Sequence, residues 1–456
     1  MEHEGESYHY KFLSEGDVSI SRRRKEWWSK LPEETKKLLE EDAKYFLHQA
    51  LSTPCLDVLA ECEGIYITNI AGKKYMDFHG NNVHHVGFRN SKVIQAIREQ
   101  MEKLPFCTRR YTNVVAIRLA KKLAEITGLG KCLFAPSGND AMEIALKLAM
   151  GYTKRFKTVS WWDSFHGAGF GPASIGGEAI FRGEISLLPG TNHVPPPDCY
   201  RCVYGHSYPD CNLECAQMIR YVIEKEGGDV AAVISETIRS TPYVPPYEYW
   251  KEVRKICDEN NVVLIIDEIP HCLGRTGKMF TFQHYDILPD ILVIGKSLGG
   301  GIVPIAATVA KREMDVMGHR AIGHYTHEKN PVLCAAALAT IQYIEENKLV
   351  ENAAIQGEYA LKRLNEMKDE HKLIGDVRGK GLLLGIELVK DHKKKTRAID
   401  EAEAVMYRCL EKGLSFKLTM GNILTLTPPL TITREEMDKA LDIIDESIHE
   451  IEQQTT

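Results

Sequence analysis

The chain has 456 residues, 44% hydrophobic and 26% charged, enough for a large core and more than one domain. Its formal net charge of -6 excludes a general attraction to nucleic acid or to an anionic membrane. No apolar stretch approaches the ~20 residues of a membrane helix, and the acidic start Met1-Glu2-His3-Glu4-Gly5-Glu6 is unlike a signal peptide, so a cytoplasmic location is expected. The 12 cysteines are then mostly reduced thiols, and Cys257, Cys334 and Cys409, set in apolar runs, read as small core residues.

Residues 1–30 lack a clean periodicity and read as an extended arm. Arg22-Arg23-Arg24-Lys25, like Lys393-Lys394-Lys395, reads as solvated surface. Pro32-Glu33-Glu34 opens a charged helix whose apolar face is Leu38, Leu39, Ala43, Phe46 and Leu47. Ile65–Thr68 and Lys74–Phe78, joined across Ala71-Gly72, read as a hairpin. A polar loop, His79-Gly80-Asn81-Asn82-Val83-His84-His85, follows its end, and Lys92–Leu104 reads as a helix.

An α/β alternation then begins. Cys132–Ala135 is a short strand, Pro136-Ser137-Gly138-Asn139-Asp140 a turn, and Ala141–Gly151 a helix burying Met142, Ala145, Leu146 and Ala149. Such a turn reads equally as an ordinary connection or as a phosphate cradle of free N–H groups at a helix start. Phe156–Trp162 is the next strand, ending in Asp163-Ser164-Phe165-His166-Gly167. Two close cysteine pairs, Cys199/Cys202 and Cys211/Cys215, flank His206; their short separation fits a zinc knuckle poorly, and no metal is expected.

Val230–Ser235 is a buried strand ending in Glu236, and Tyr247–Asn260 a helix. Asn261–Ile266 is an unbroken apolar run ending in Asp267-Glu268, the pattern of a parallel strand covered on both faces. Asp290–Gly295 is a second such run and ends in Lys296, before a glycine-rich loop, Ser297–Gly301. Ligands of open α/β sheets bind at carboxyl ends of strands, where this acid and this lysine both fall. Alone, either residue reads as a helix cap or a surface lysine. Together they suit pyridoxal phosphate (PLP), which needs a lysine to hold its aldehyde and a carboxylate facing its pyridinium nitrogen. Val303–Ala310 reads as an antiparallel strand. Helices Pro331–Asn347 and Ala353–Glu370, a strand Arg378–Leu388, a helix Ile399–Lys412, a strand Ile423–Thr427 and a last helix from Arg434 finish the chain.

Asp267-Glu268-Ile269, Gly274-Arg275-Thr276-Gly277-Lys278-Met279-Phe280, Pro289-Asp290-Ile291, Lys296 and Gly299-Gly300-Gly301 together resemble the signature of the class III aminotransferases, PLP enzymes of fold type I. The resemblance spans nearly the whole chain. It implies an α/β fold: a large domain with a mostly parallel seven-stranded sheet, about residues 76–330, and a small α+β domain built from residues 1–75 and 331–456. It implies catalysis by Lys296 with Asp267. Ser137, Gly138 and Asn139 would hold the cofactor phosphate, Phe165 would stack on the ring, His166 would position, and Glu236 would line the site. Thr326, in Gly323–Pro331, matches the threonine that reaches the phosphate of the other subunit, which implies a homodimer with active sites at its interface.

Two departures bear on the reaction. Pro270 stands where relatives commonly carry a glutamine that bonds the cofactor's phenolic oxygen; proline has no such donor. Thr425 stands where many carry an arginine for the α-carboxylate, and a hydroxyl does not replace a bidentate charged pair. His79–His84, Pro105–Asn113, Trp162–Ala168 and Gly323–Lys329 are similar to a subgroup that includes the ammonia-lyase of 1-hydroxy-2-aminoethylphosphonate. The expectation is β-elimination from a small 2-aminoethyl amine with an anionic head, giving phosphonoacetaldehyde and ammonia. Asn82, Arg109, Arg110 and Thr425 are its candidate substrate residues. The alternatives are an ω-amine transaminase using a keto-acid acceptor, and a PLP-binding protein without catalysis.

Overall fold

The computed structural model describes residues 21–50 and 55–455; the expected arm before residue 21 and the acidic start lie outside them. The chain divides into two compact units, residues 1–80 with 355–456, and residues 81–354.

In the first unit, Arg22–Lys30 is a helix rather than an arm. Ser21 caps it, accepting from the Arg24 N–H at 2.9 Å, and buried Trp27 donates its indole N–H to Leu56 O. Nine residues are too few to show a period. Arg24 is buried, so the basic run is only partly solvated. The next helix, Glu33–Tyr45, buries Leu39 of its expected apolar face together with Thr35, whereas among the described residues Leu38, Phe46 and Leu47 are exposed, Leu47 by 93%. Phe46 is extended, so Phe46 and Leu47 lie past the helical spacing. Strands β1 (Leu59–Glu63), β2 (Tyr66–Asn69) and β3 (Lys74–Asp77) form an antiparallel meander that includes the expected hairpin.

The second unit is built on a seven-stranded sheet: β4 (Lys131–Ala135), β5 (Lys157–Trp161), β6 (Thr191–Val194), β7 (Val230–Glu236), β8 (Val263–Asp267), β9 (Ile291–Ile294) and β10 (Ala306–Ala310). Their order is β4-β10-β9-β8-β7-β5-β6. Only β10 runs antiparallel, to both β4 and β9. Strands β7 to β10 are buried at every position, which is why they read as continuous apolar runs. The helix Gly138–Thr153 buries Met142, Ala145, Leu146 and Ala149 in one core with Ile234, Ile265 and Val293. It starts at Gly138 rather than Ala141 because Ser137 supplies the cap, so most of the expected turn is already helical. The glycine-rich loop after β9 is likewise not wholly irregular: Lys296–Gly299 makes a single 3-10 turn.

Two helices, Pro331–Glu346 and Leu349–Glu370, lead out of this unit. The single strand expected over Arg378–Leu388 is two: β11 (Ile374–Lys380) and β12 (Leu383–Asp391) fold back antiparallel around Gly381, whose φ is 53°. Glycine adopts that left-handed backbone without a Cβ clash. With β13 (Thr396–Arg397), β14 (Leu414–Ser415), β15 (Lys417–Thr419) and β16 (Ile423–Leu426), these complete the first unit's sheets. One has the order β11-β12-β16-β15, and β14 pairs parallel with β3 in the other. In the sequence the helix Ile399–Glu411 lies between β13 and β14, and the helix Arg434–Thr455 follows β16. Among the described residues no helix is long and apolar enough to cross a membrane.

Candidate active site

Polar residues end the buried strands at one edge of the large sheet. Glu236 closes β7 and pairs in register with Asp267, which closes β8, while Asp267 itself pairs with Val293 of β9. Two residues past β9 comes Lys296, half-buried, with a φ of 44°. That conformation is uncommon for a residue with a Cβ and marks a position held by its surroundings.

Asp267 is 2% exposed. Its Oδ1 accepts from the Ile269 N–H at 3.0 Å, and its Oδ2 lies 2.8 Å from His166 Nδ1. A carboxylate oxygen accepts, so in this contact His166 Nδ1–H is the donor and Asp267 Oδ2 the acceptor. His166 Nε2 is buried and has no hydrogen-bond partner among the described residues. The contact with Asp267 fits the positioning role expected of His166, and no sequence pattern reveals that partner.

The start of the helix Gly138–Thr153 is tied to the same region. Ser137 Oγ caps the helix and donates to Asp140 Oδ2 at 2.7 Å. The leading N–H groups, those of Gly138 and Asn139, have no acceptor within the helix. A Cβ on Gly138 would come within 2.7 Å of Ile269 Cδ1, and one on Gly295 within 3.5 Å of Ile269 Cγ2. Ile269 thus packs between the helix start and the segment leading to Lys296. Asn139 Oδ1 accepts from the Gly169 N–H at 2.6 Å, which fastens the Phe165–Gly169 segment alongside. Phe165 is half-buried, with its ring centroid 4.4 Å from that of Phe181.

Glu236 is fully engaged. Its Oε1 accepts from Arg239 Nη1 at 2.8 Å, and its Oε2 from both the N–H and the hydroxyl of Ser240 at 2.9 Å. Arg239 is 1% exposed; it also donates from Nη2 to Glu178 Oε1 and from Nε to the Asp163 carbonyl. Arg239 and Glu178 were missed from the sequence. The available signal was a lone arginine among small and apolar residues, three positions past a strand-end acid. Beside Asp267, Glu268 is buried and accepts from the N–H groups of Thr281 and Phe282 at 2.8 and 2.7 Å. Burial pushes its carboxyl up to about 7.

The other expected site residues have the following contacts. Arg109 and Arg110 are exposed, and Arg109 donates to the His324 carbonyl at 2.8 Å. Asn113 reaches Lys329 O at 2.9 Å, so Pro105–Asn113 lies against the segment carrying exposed Thr326. Asn82 is buried in a left-handed backbone with its Oδ1 unpartnered. Pro270 is buried in the turn after β8. Thr425 belongs to the first unit, where its hydroxyl lies 2.8 Å from that of Thr419. Among the described residues no group of three or more His, Cys, Asp or Glu is arranged to hold a metal ion. In the cysteine loop, burial raises Cys199 to about 11 and Cys215 to about 12, and His206 faces Glu214 at 3.2 Å.

An α/β sheet with an acid and a lysine at one edge, beside a helix start, defines the frame of a PLP-dependent transferase. The family model of the class III aminotransferases matches residues 48–448, and the chain belongs to that family. It is 48% identical to a (R)-1-hydroxy-2-aminoethylphosphonate ammonia-lyase of Vibrio splendidus, over 96% of each chain. It is 40% identical to a leucine/methionine racemase of Thermococcus litoralis, over 91% of this chain and 96% of that one. A Bacillus anthracis aminotransferase structure superposes with a TM-score of 0.85 at 32% identity, covering 92% of this chain and 99% of that one.

The family and its solved transaminase relatives imply PLP, and the geometry fits it. Gly138 leaves the helix start clear of a Cβ. Asp267 is a buried acceptor oriented by His166. The lysine stands at the same sheet edge.

Proposed function

We propose that the protein is a PLP-dependent ammonia-lyase acting on 1-hydroxy-2-aminoethylphosphonate, releasing phosphonoacetaldehyde and ammonia without a keto-acid acceptor. The likeness to the Vibrio splendidus lyase, 48% identity over 96% of both chains, carries this reading. Thr425 supports it, because no guanidinium stands there to bind the carboxylate of a keto acid.

When bound, the cofactor supplies an electron sink for the charge developing on the amine-bearing carbon. Lys296 would hold the cofactor, and its amine would serve as general base at the amine-bearing carbon and carry that proton to the departing hydroxyl. Asp267, oriented by His166, would offer its carboxylate to the pyridine nitrogen. The N–H groups of Gly138 and Asn139, with Ser137, bind the phosphate at the positive end of the helix. Phe165 covers one face of the ring. In the homodimer that the family resemblance implies, Thr326 serves the phosphate of the partner subunit's site. Asn82, Arg109 and Arg110 remain the candidates for the substrate's head. Loss of the hydroxyl leaves an enamine that water converts to the aldehyde and ammonia, so atoms balance without an oxidant.

The solved transaminase relatives favour a second reading, an ω-amine transaminase. Ammonia release from (R)-1-hydroxy-2-aminoethylphosphonate, with and without pyruvate or 2-oxoglutarate, separates the two. Acceptor-independent ammonia is expected. Turnover only with a keto acid, yielding alanine or glutamate, would overturn the lyase. Spectral change without turnover on any amine would point to a binding protein.

A further inference from the structure

Two acids stand side by side at the substrate edge, Glu236 and Asp267, paired in register on adjacent parallel strands. Neighbouring strands run ~4.8 Å apart, so both charges bear on the same ligand space. Asp267 faces His166 and, in the proposed holoenzyme, the cofactor nitrogen. Left ionised and uncompensated, Glu236 would repel Asp267 and any amine with an anionic head.

We propose that Arg239 is a specificity-determining residue, whose single positive charge, shared between Glu236 and Glu178, lowers the negative charge of this edge and so keeps it permissive for a small amine bearing a phosphonate or carboxylate. The inference rests on the proposed reading that the substrate is anionic. Arg239 contacts three segments: Glu236 at the end of β7, Glu178, and the carbonyl of Asp163 in the turn leading to Phe165 and His166. A planar guanidinium with several donors in fixed directions can serve three acceptors at once; a lysine ammonium cannot match that geometry. Arg239 and Glu236 are each 1% exposed, so solvent screens the pair little. Ser240 occupies the other Glu236 oxygen, so both oxygens of that carboxylate are bonded to the chain itself.

The test compares two amines of similar size, 1-hydroxy-2-aminoethylphosphonate and 1-amino-2-propanol, the latter called the neutral amine because its head carries no charge. Their dissociation constants are read from the change in cofactor absorbance of the holoenzyme, which needs no turnover. Arg239→Met should weaken the phosphonate relative to the neutral amine by roughly tenfold, the effect of one uncompensated like charge about 10 Å away at an effective dielectric near about 20. The double variant Arg239→Met/Glu236→Gln should return that ratio to near the wild-type value. Equal weakening of both amines, or no recovery in the double variant, overturns the inference. If Arg239→Met fails to fold, Glu236→Gln alone decides: it should tighten the phosphonate relative to the neutral amine, and an unchanged ratio overturns the inference. A wild-type enzyme that binds the phosphonate preferentially but transaminates it would sink the lyase reading and leave Arg239 standing. One that binds both amines alike would sink the role of Arg239 whatever reaction it catalyses.

Discussion

His166 Nδ1 lies 2.8 Å from Asp267 Oδ2, a contact between residues 101 positions apart that fixes the direction of the buried carboxylate. His166→Phe should therefore leave Asp267 unoriented. Turnover should fall on the order of tenfold to a hundredfold, the range for losing a hydrogen-bonded orienting partner. The cofactor's absorbance should shift with it. His166→Gln, which can still donate, should lose less. Equal losses in both variants would assign His166 to packing alone.

The purified protein should be yellow. Lys296→Ala should bind cofactor yet lose about a thousandfold or more in turnover, because it removes the group that holds and moves the proton. Asp267→Asn should lose turnover and weaken cofactor binding together. A colourless preparation, indifferent to added PLP yet fully active, would refute this site.

Gly138→Ala places a Cβ within 2.7 Å of Ile269 Cδ1. The methyl is the far end of a flexible side chain, so the helix should still form, at a stability cost of about 1–3 kcal/mol. Cofactor affinity should fall by more than stability does, because the helix start must shift. Ile269→Val in the same chain should recover much of both. Failure of the second change to recover either would show that Ile269 is not what constrains Gly138.

Glu268 predicts a pH dependence. Burial raises its carboxyl from 4.5 to about 7 against the opposing donors of Thr281, Phe282 and Thr237. Between those values the folded chain keeps a proton that the unfolded chain has lost. The group's contribution is complete below pH 4.5 and lost as pH rises through about 7, a change of about 3 kcal/mol. Urea unfolding of wild type and Glu268→Gln at about pH 5 and about pH 8 checks this. The wild-type advantage should shrink by about 2–3 kcal/mol over that interval. A constant difference would rule it out.

The cysteine loop should be chemically quiet near neutral pH. With Cys199 raised to about 11 and Cys215 to about 12, chiefly by burial, both are protonated thiols there. Iodoacetamide should label half-buried Cys215 slowly until the protein is unfolded; Cys199 is exposed, so only its raised, protonated thiol slows its labelling, and elemental analysis should find no stoichiometric zinc. Rapid alkylation of native protein, or one zinc per chain, would contradict this reading.

Local pattern alone determined the strands β7, β8 and β9 and the polar residues at or just past their ends, Glu236, Asp267 and Lys296. A strand buried on both faces must be a continuous apolar run, and the first polar residue after it is visible as a break. The helix Tyr247–Asn260 was legible from Pro245-Pro246 just before it. Other features depended on which segments meet. The helix Arg22–Lys30 is too short to carry a period and is held by Ser21 and by the burial of Trp27. The hairpin of β11 and β12 turns on a single glycine backbone angle. Above all, the partners of the strand-end acids come from distant turns: His166 for Asp267, and Glu178, 61 residues from Arg239, to share the guanidinium that holds Glu236. The order β9-β8-β7-β5 brings those turns to one edge. Strand order is set by packing across the whole sheet, and no local run of residues encodes it.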